Sequence, residues 1–305
     1  MPSRPALIPA SLPLVGILWM VLSGVSFVAV NGAVHHLGTT LPTAESAFIR
    51  FAFGLILLAP SLVAALRAGL PAGTLPLIGL RGALHTLAVI LWFYAMARIP
   101  MAEVTAIGYL SPIVVTVGAA LFLGERLALR RILAIAVALT GALIVLRPGL
   151  RDLQPGHLAQ IGAAICFGLS YILAKKLAPL IPAGALVALL SVTVTLGLAP
   201  FAALEWVTPG LAQLGWLAVV AVLATSGHYC MARAFAAAPV SVTQPVIFLQ
   251  LIWATLLGWL AFGERVDPYV LSGGAVIIAA ISYMSWREAQ IARAGITPAP
   301  GAEGR

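Results

Sequence analysis

Long stretches of this chain carry no charge at all. Residues 153–174, 177–204, 206–232, 234–263 and 268–286 contain no Asp, Glu, Lys or Arg. Runs of this length, one after another, leave few folds open. About 20 apolar residues in a helix match the thickness of a bilayer. A backbone in hydrocarbon must also satisfy its own hydrogen bonds, so each run is expected to be a helix rather than an open strand. The second half divides into spans near 156–177, 183–204, 212–235, 241–262 and 268–286, and the first half into spans near 12–34, 45–65, 76–97, 102–122 and 129–147. The composition agrees: 62% of the 305 residues are apolar and 9% are charged, where a soluble domain has about 25% charged residues. The expected class is an all-α membrane protein with ten transmembrane helices.

The formal charge is +8. In a soluble protein that balance points to nucleic acid, but no basic cluster sits on a polar domain here, so no nucleic-acid partner is expected. The cations follow the loops instead. With ten spans, Arg4, Arg67, Arg126, Arg130, Arg131, Lys175, Lys176, Arg233, Arg287, Arg293 and Arg305 fall on one side, and Arg98, Arg147, Arg151 and Arg265 on the other. Arg50 and Arg81 lie within spans. The positive-inside rule makes the first side cytoplasmic, with both termini, in a multi-pass protein of the cell (inner or plasma) membrane. No convincing cleavable signal precedes the first span. Cys166 and Cys230 sit inside apolar runs and read as packing residues. The tail after Arg287 is rich in Ala, Pro and Gly and is expected to be disordered.

The chain repeats itself. "LFLGERL" at 121–127 returns as "LAFGERV" at 260–266, an offset of 139. "LLAP" at 57–60 answers "GLAP" at 197–200, and Phe27 answers Phe167, at an offset of 140. The expected organisation is a first five-helix repeat over 1–148, a second over 149–287, and a cytoplasmic tail over 288–305. Five is odd, so the second repeat enters the membrane inverted. Inverted repeats are a common architecture of secondary transporters, whose substrate sites lie near the midplane between the halves.

The stretch "FYAMARIPMAEVTAIGYLSPIVVTVGAALFLGERL" at 93–127 resembles the signature region of the EamA family in the drug/metabolite transporter superfamily. The features carrying the resemblance are Trp92 to Tyr94, Pro100, Pro112 and Gly124-Glu125-Arg126, with "IRFAF" at 49–53 resembling the family's second-helix Arg-Phe motif. In the second half Gly263-Glu264-Arg265 is present, but Leu251 stands where a counterpart of Pro112 would be. The resemblance implies ten helices, cytoplasmic termini and a central cavity. The third, fourth, eighth and ninth helices would line that cavity, with the first and sixth closing it. Within the family, the YddG-type amino-acid exporters are closest in character.

Polar groups in a bilayer are costly and turn toward protein or water. On the fourth span Thr105, Tyr109, Pro112 and Thr116 share a helical face; on the ninth, Gln244, Phe248, Leu251 and Thr255 do the same at an offset of 139. Two such faces meeting would give an apolar cavity with a few polar handles. The plainer alternative is that Thr and Gln tie helices together. On the third span Arg81, His85 and Trp92 share a face. His85 and His228 are candidates for a carboxylate or a proton, and a structural histidine is the alternative for each. Asn31 and Tyr171 are counterparts at an offset of 140 on candidate cavity helices. Glu103 opens the fourth span, either favouring a helix start or belonging to an outer gate. His35 and His36 are adjacent and point apart, so no metal site is expected there.

No GxxxxGK[ST], HExxH or GxSxG motif occurs. No enzyme activity, catalytic residue, ATP-driven cycle or cofactor is therefore expected. The expected function is export of small metabolites, amino acids first among them, by alternating access. Drugs or nucleoside- or sugar-like metabolites are the alternative substrates, and a membrane enzyme or scaffold the alternative class. The partners are a small-molecule substrate and the lipid bilayer, with a monomer as a plausible state. The Gly-Glu-Arg pair reads as punctuation: a glycine ends a helix in the left-handed conformation, and Glu125 and Glu264 are expected to favour the helix that follows.

Overall fold

The computed structural model describes residues 13–123, 129–147, 152–177, 180–237, 246 and 248–296. Those residues form helices and connecting turns, with no strand among them. The helices are α1 (Pro13–Leu37), α2 (Thr43–Ala68), α3 (Leu75–Met96), α4 (Met101–Gly108), α5 (Ser111–Leu123), α6 (Leu129–Leu146), α7 (Pro155–Leu177), α8 (Ala183–Leu204), α9 (Leu211–Ala237), α10 (Leu249–Phe262) and α11 (Pro268–Ile296). Six are long and apolar enough to cross a membrane, and the apolar segments Met101–Val115, Ile132–Leu146, Leu249–Phe262 and Pro268–Tyr283 bring the spans to ten. Their outer faces are oily. Leu204 is 81% exposed, Leu211 89% and Leu260 72%, which suits lipid as the surrounding solvent.

The fourth span is not one helix. It breaks at Tyr109 and Leu110, where Tyr109 N–H donates to the Ala106 carbonyl and Leu110 N–H to that of Ile107. Pro112 explains the break, because its ring has no N–H to continue the helical ladder. The ninth span restarts at the equivalent point: α10 begins at Leu249, with Phe248 as its cap. No proline marks that position, since Leu251 occupies it.

The packing is symmetric under exchange of the halves. Counting α4 and α5 as one span, α1 packs on α9 as α3 packs on α7, and α3 on α8 as α2 packs on α9. The α1–α10 contact matches that of α4 and α5 with α7, while α2–α8, α4–α10 and α6–α11 each map onto themselves. Each half therefore buries its helices mainly against the other half, not within itself. The last self-matched pair crosses closely. A Cβ on Gly141 would lie 2.7 Å from the Gly273 carbonyl oxygen, so the absent side chains let two backbones meet. Helix α11 continues to Ile296, through part of the stretch expected to be a disordered tail.

Candidate functional site

The turn in the fourth span delivers Tyr109 to the centre of the bundle. Its ring meets that of Phe248 edge to face, with centroids 5.2 Å apart and planes at 89°. Its hydroxyl donates to the Phe248 carbonyl at 3.4 Å. Both residues are buried in the main core cluster.

To one side of this contact lie two matched pairs. His85 on α3 sits edge-on to Phe167 on α7, with ring centroids 4.9 Å apart. His228 on α9 sits edge-on to Phe27 on α1, also at 4.9 Å. The two phenylalanines are counterparts, so each half offers one phenylalanine to a histidine of the other. The His85 Nδ1 is 3.1 Å from the Ser170 hydroxyl; the His228 Nδ1–H donates to the Ala224 carbonyl at 2.7 Å. Tyr171 stacks on Phe167, with planes 14° apart. Arg50, Arg81 and His228 all lie within electrostatic reach of His85. The Arg50 guanidinium rests 4.1 Å over the Phe51 ring. Arg81 is buried, and its Nη1 donates to the Leu186 carbonyl at 3.0 Å.

The other side of the Tyr109 contact is a polar seal. It lies at the upper end of the bundle, where α1 and α3 finish and α4 and α7 begin. Met101 N–H, at the start of α4, donates to both Glu264 oxygens at 3.2 Å. His35 Nε2 is 3.3 Å from the same carboxylate, while its Nδ1–H donates to the Met96 carbonyl at 2.6 Å. Burial pushes the Glu264 carboxyl up from its ordinary value, opposed by His35 and the Met101 N–H and reinforced by Glu103. Glu103 accepts from His157 Nε2–H at 2.6 Å, and Gln160 donates to the Val104 carbonyl at 3.0 Å. Every one of these bonds except His35 to Met96 joins one half to the other. A cavity of about 250 Å³, lined by Glu103, Glu264, Asp267 and Thr255, lies beside the seal. A second of about 550 Å³ lies between the end of α2 and the start of α8. Neither is lined by His85 or Tyr109.

The structure gathers His85, Tyr171, His228, Tyr109 and Phe248 along the interface of the halves. Thr105 is buried there too, but its hydroxyl donates to the Met101 carbonyl of its own helix. Trp92 packs edge-on to Phe93 at 5.1 Å, and Asn31 is half-buried on α1. Gln244 lies outside the described residues, as does the first Gly-Glu-Arg copy at 124–126. In the second copy Gly263 is left-handed, with φ 66°. Glu264 does not serve the helix that follows it. It caps α4 in the opposite half, and Asp267 takes the start of α11 by accepting from Tyr269 N–H at 2.8 Å. His157 and Gln160 drew no notice in the sequence, because each is a lone polar residue in the first turns of an apolar span. Among the described residues, no cluster of three His, Cys, Asp or Glu could hold a metal.

Two interlocked helical halves, a buried polar and aromatic seam and a seal at the upper end are the architecture of a membrane transporter, and the family match agrees. Residues 14–147 and 154–286 each match the EamA-like transporter family. The chain belongs to that family. It is 31% identical to a riboflavin transporter of Rhizobium johnstonii, over 90% of this chain and 92% of that protein. It is 29% identical to an S-adenosylmethionine uptake transporter of Rickettsia bellii, over 90% and 94%. It is 27% identical to a pseudopaline exporter of Pseudomonas aeruginosa, over 88% and 95%.

Proposed function

We propose that this chain is a secondary transporter that exports small metabolites, amino acids and related compounds among them, by alternating access between its two halves. The observation that carries this reading is the reciprocal packing of the halves, together with a seal at one end made of bonds between them. Breaking the Glu264–Met101 and Glu103–His157 contacts would let α4 part from α10 and α7 at the upper end. The two repeats occupy 1–148 and 149–287, with inverted topology. The cation distribution supports placing the upper end outside, with both termini in the cytoplasm.

A planar, ring-bearing metabolite outside the amino acids is the second reading. The relative that carries riboflavin favours it, as do the stacked rings of Phe167 and Tyr171.

Proteoliposomes holding the purified chain, given a panel of labelled amino acids and riboflavin, test both readings. Saturable flux of a panel member supports transport and identifies the substrate. A chain that moves nothing on the panel counts against both.

A further inference from the structure

Among the described residues, the charged side chains buried within the spans share one sign. Arg50 and Arg81 lie within reach of His85, and His228 completes the group. Among the described side chains the carboxylates stand elsewhere: Glu45, Glu103, Asp152, Glu205, Glu264 and Asp267 sit at the upper end, in the first turn of a helix or in a loop. Among the described residues, neither arginine has a carboxylate within ion-pair distance. Arg81 is only 6% exposed. Its Nη1 spends one hydrogen on Leu186, and its buried Nε has no partner.

A guanidinium held in this way is incomplete. Buried charge is tolerated when paired and fully hydrogen-bonded, and a planar fork with free N–H groups fits the two oxygens of a carboxylate or phosphate. Phe51, Phe167 and Tyr171 lie around the neighbouring His85 ring and offer ring faces and edges. The loops nearest this side are cationic too, with Arg67, Lys176 and Arg233 at the lower ends of α2, α7 and α9. Such a gradient draws anions inward.

We propose that the transported substrate is a net anion: a carboxylate or phosphate that engages the open Arg81 fork and is drawn by the Arg50 charge, attached to an aromatic ring held among Phe51, Phe167 and Tyr171. This rests on the transporter reading and narrows it. A cationic amine finds no counter-ion in this site, and a zwitterion satisfies only its acidic half.

The test uses one ring with three charges. Indole-3-acetate, indole-3-acetamide and tryptamine are titrated by calorimetry into the purified full-length chain in detergent. The expected order is acetate over acetamide over tryptamine, with the anion favoured on the order of tenfold over the neutral amide. Arg81→Gln and Arg50→Gln should erase that preference, and Arg81→Lys should keep most of it. Among the described residues Arg50 makes no side-chain hydrogen bond, so Arg50→Gln remains informative if Arg81→Gln does not fold. Equal affinities, a preference for tryptamine, or no binding of any probe at millimolar concentration overturns the proposal. Proteoliposome flux separates this from the transport reading. A chain that ranks the probes but moves no solute keeps the anion site and loses transport, while saturable flux without any charge preference does the reverse.

Discussion

Tyr109 and Phe248 are one position counted twice, 139 residues apart, and their rings touch at 5.2 Å. Equivalent residues of two repeats can meet only on the axis that relates them. This contact therefore lies on the axis relating the halves, below the polar seal.

Truncating the pair tests its part in the fold and the route. An edge-to-face pair contributes about 0.5–1.5 kcal/mol beyond buried area. Thermal unfolding in detergent should give a coupling of that size between Tyr109→Ala and Phe248→Ala. The double variant should also change both kcat and KM for transport. Unchanged kinetics would place the route on another face.

The seal should respond to pH. His35 Nδ1–H is committed to Met96, so its Nε2 faces Glu264 with a lone pair unless a proton joins them. Glu264 lies near Glu103 and shares a cavity wall with Asp267, and burial raises its carboxyl above the usual value. A raised carboxyl pKa stabilises the sealed form at low pH, and that contribution is lost as pH rises through the raised value. Labelling of an Ala102→Cys thiol, divided at each pH by the rate of the same reagent with a free thiol to remove the loss of thiolate, should accordingly fall as pH drops from 7 to 5. In Glu264→Gln that ratio should be flat with pH. An unchanged pH profile in that variant would remove Glu264 from the seal.

His157 holds Glu103 in one orientation, because its Nδ1 accepts from Gln154 N–H and leaves Nε2–H to donate. His157→Ala should destabilise the sealed form by about 1–3 kcal/mol, as expected for loss of a buried hydrogen-bond partner. His157→Gln should recover part of that loss. A detergent melting series is the measurement.

The α6–α11 crossing depends on two absent side chains. Gly141→Ala and Gly273→Ala should each cost about 1–3 kcal/mol through overpacking, because each Cβ would come within 2.7 Å of the facing carbonyl oxygen. Gly54→Ala on α2 meets nothing within 4 Å and should be neutral or stabilising by up to about 1 kcal/mol. Equal melting temperatures for all three would contradict the close crossing.

Much of the architecture was legible because hydrocarbon imposes one simple rule on backbones. The charge-free runs gave the spans, and Gly263 gave the repeat and its own left-handed turn. Tyr109 and Phe248 stood out as counterparts because their shared offset survived divergence, and their rings do meet. What stayed hidden depends on contacts between halves. Nothing in the sequence pairs Glu264 with Met101, 163 residues away, or His157 with Glu103. Thr105 shows a second limit: its spacing gives its face, but not that its hydroxyl turns back to the Met101 carbonyl of its own helix. Local periodicity orders residues around one helix and is blind to what the next helix offers.

Counterflow in proteoliposomes without ATP tests the central claim most directly. Vesicles are preloaded with a panel member that supports flux, and the same labelled compound is added outside. Alternating access predicts saturable uptake that is accelerated by internal substrate and weakened in the Tyr109→Ala, Phe248→Ala double variant. Flux that rises linearly with concentration and ignores internal substrate would contradict it.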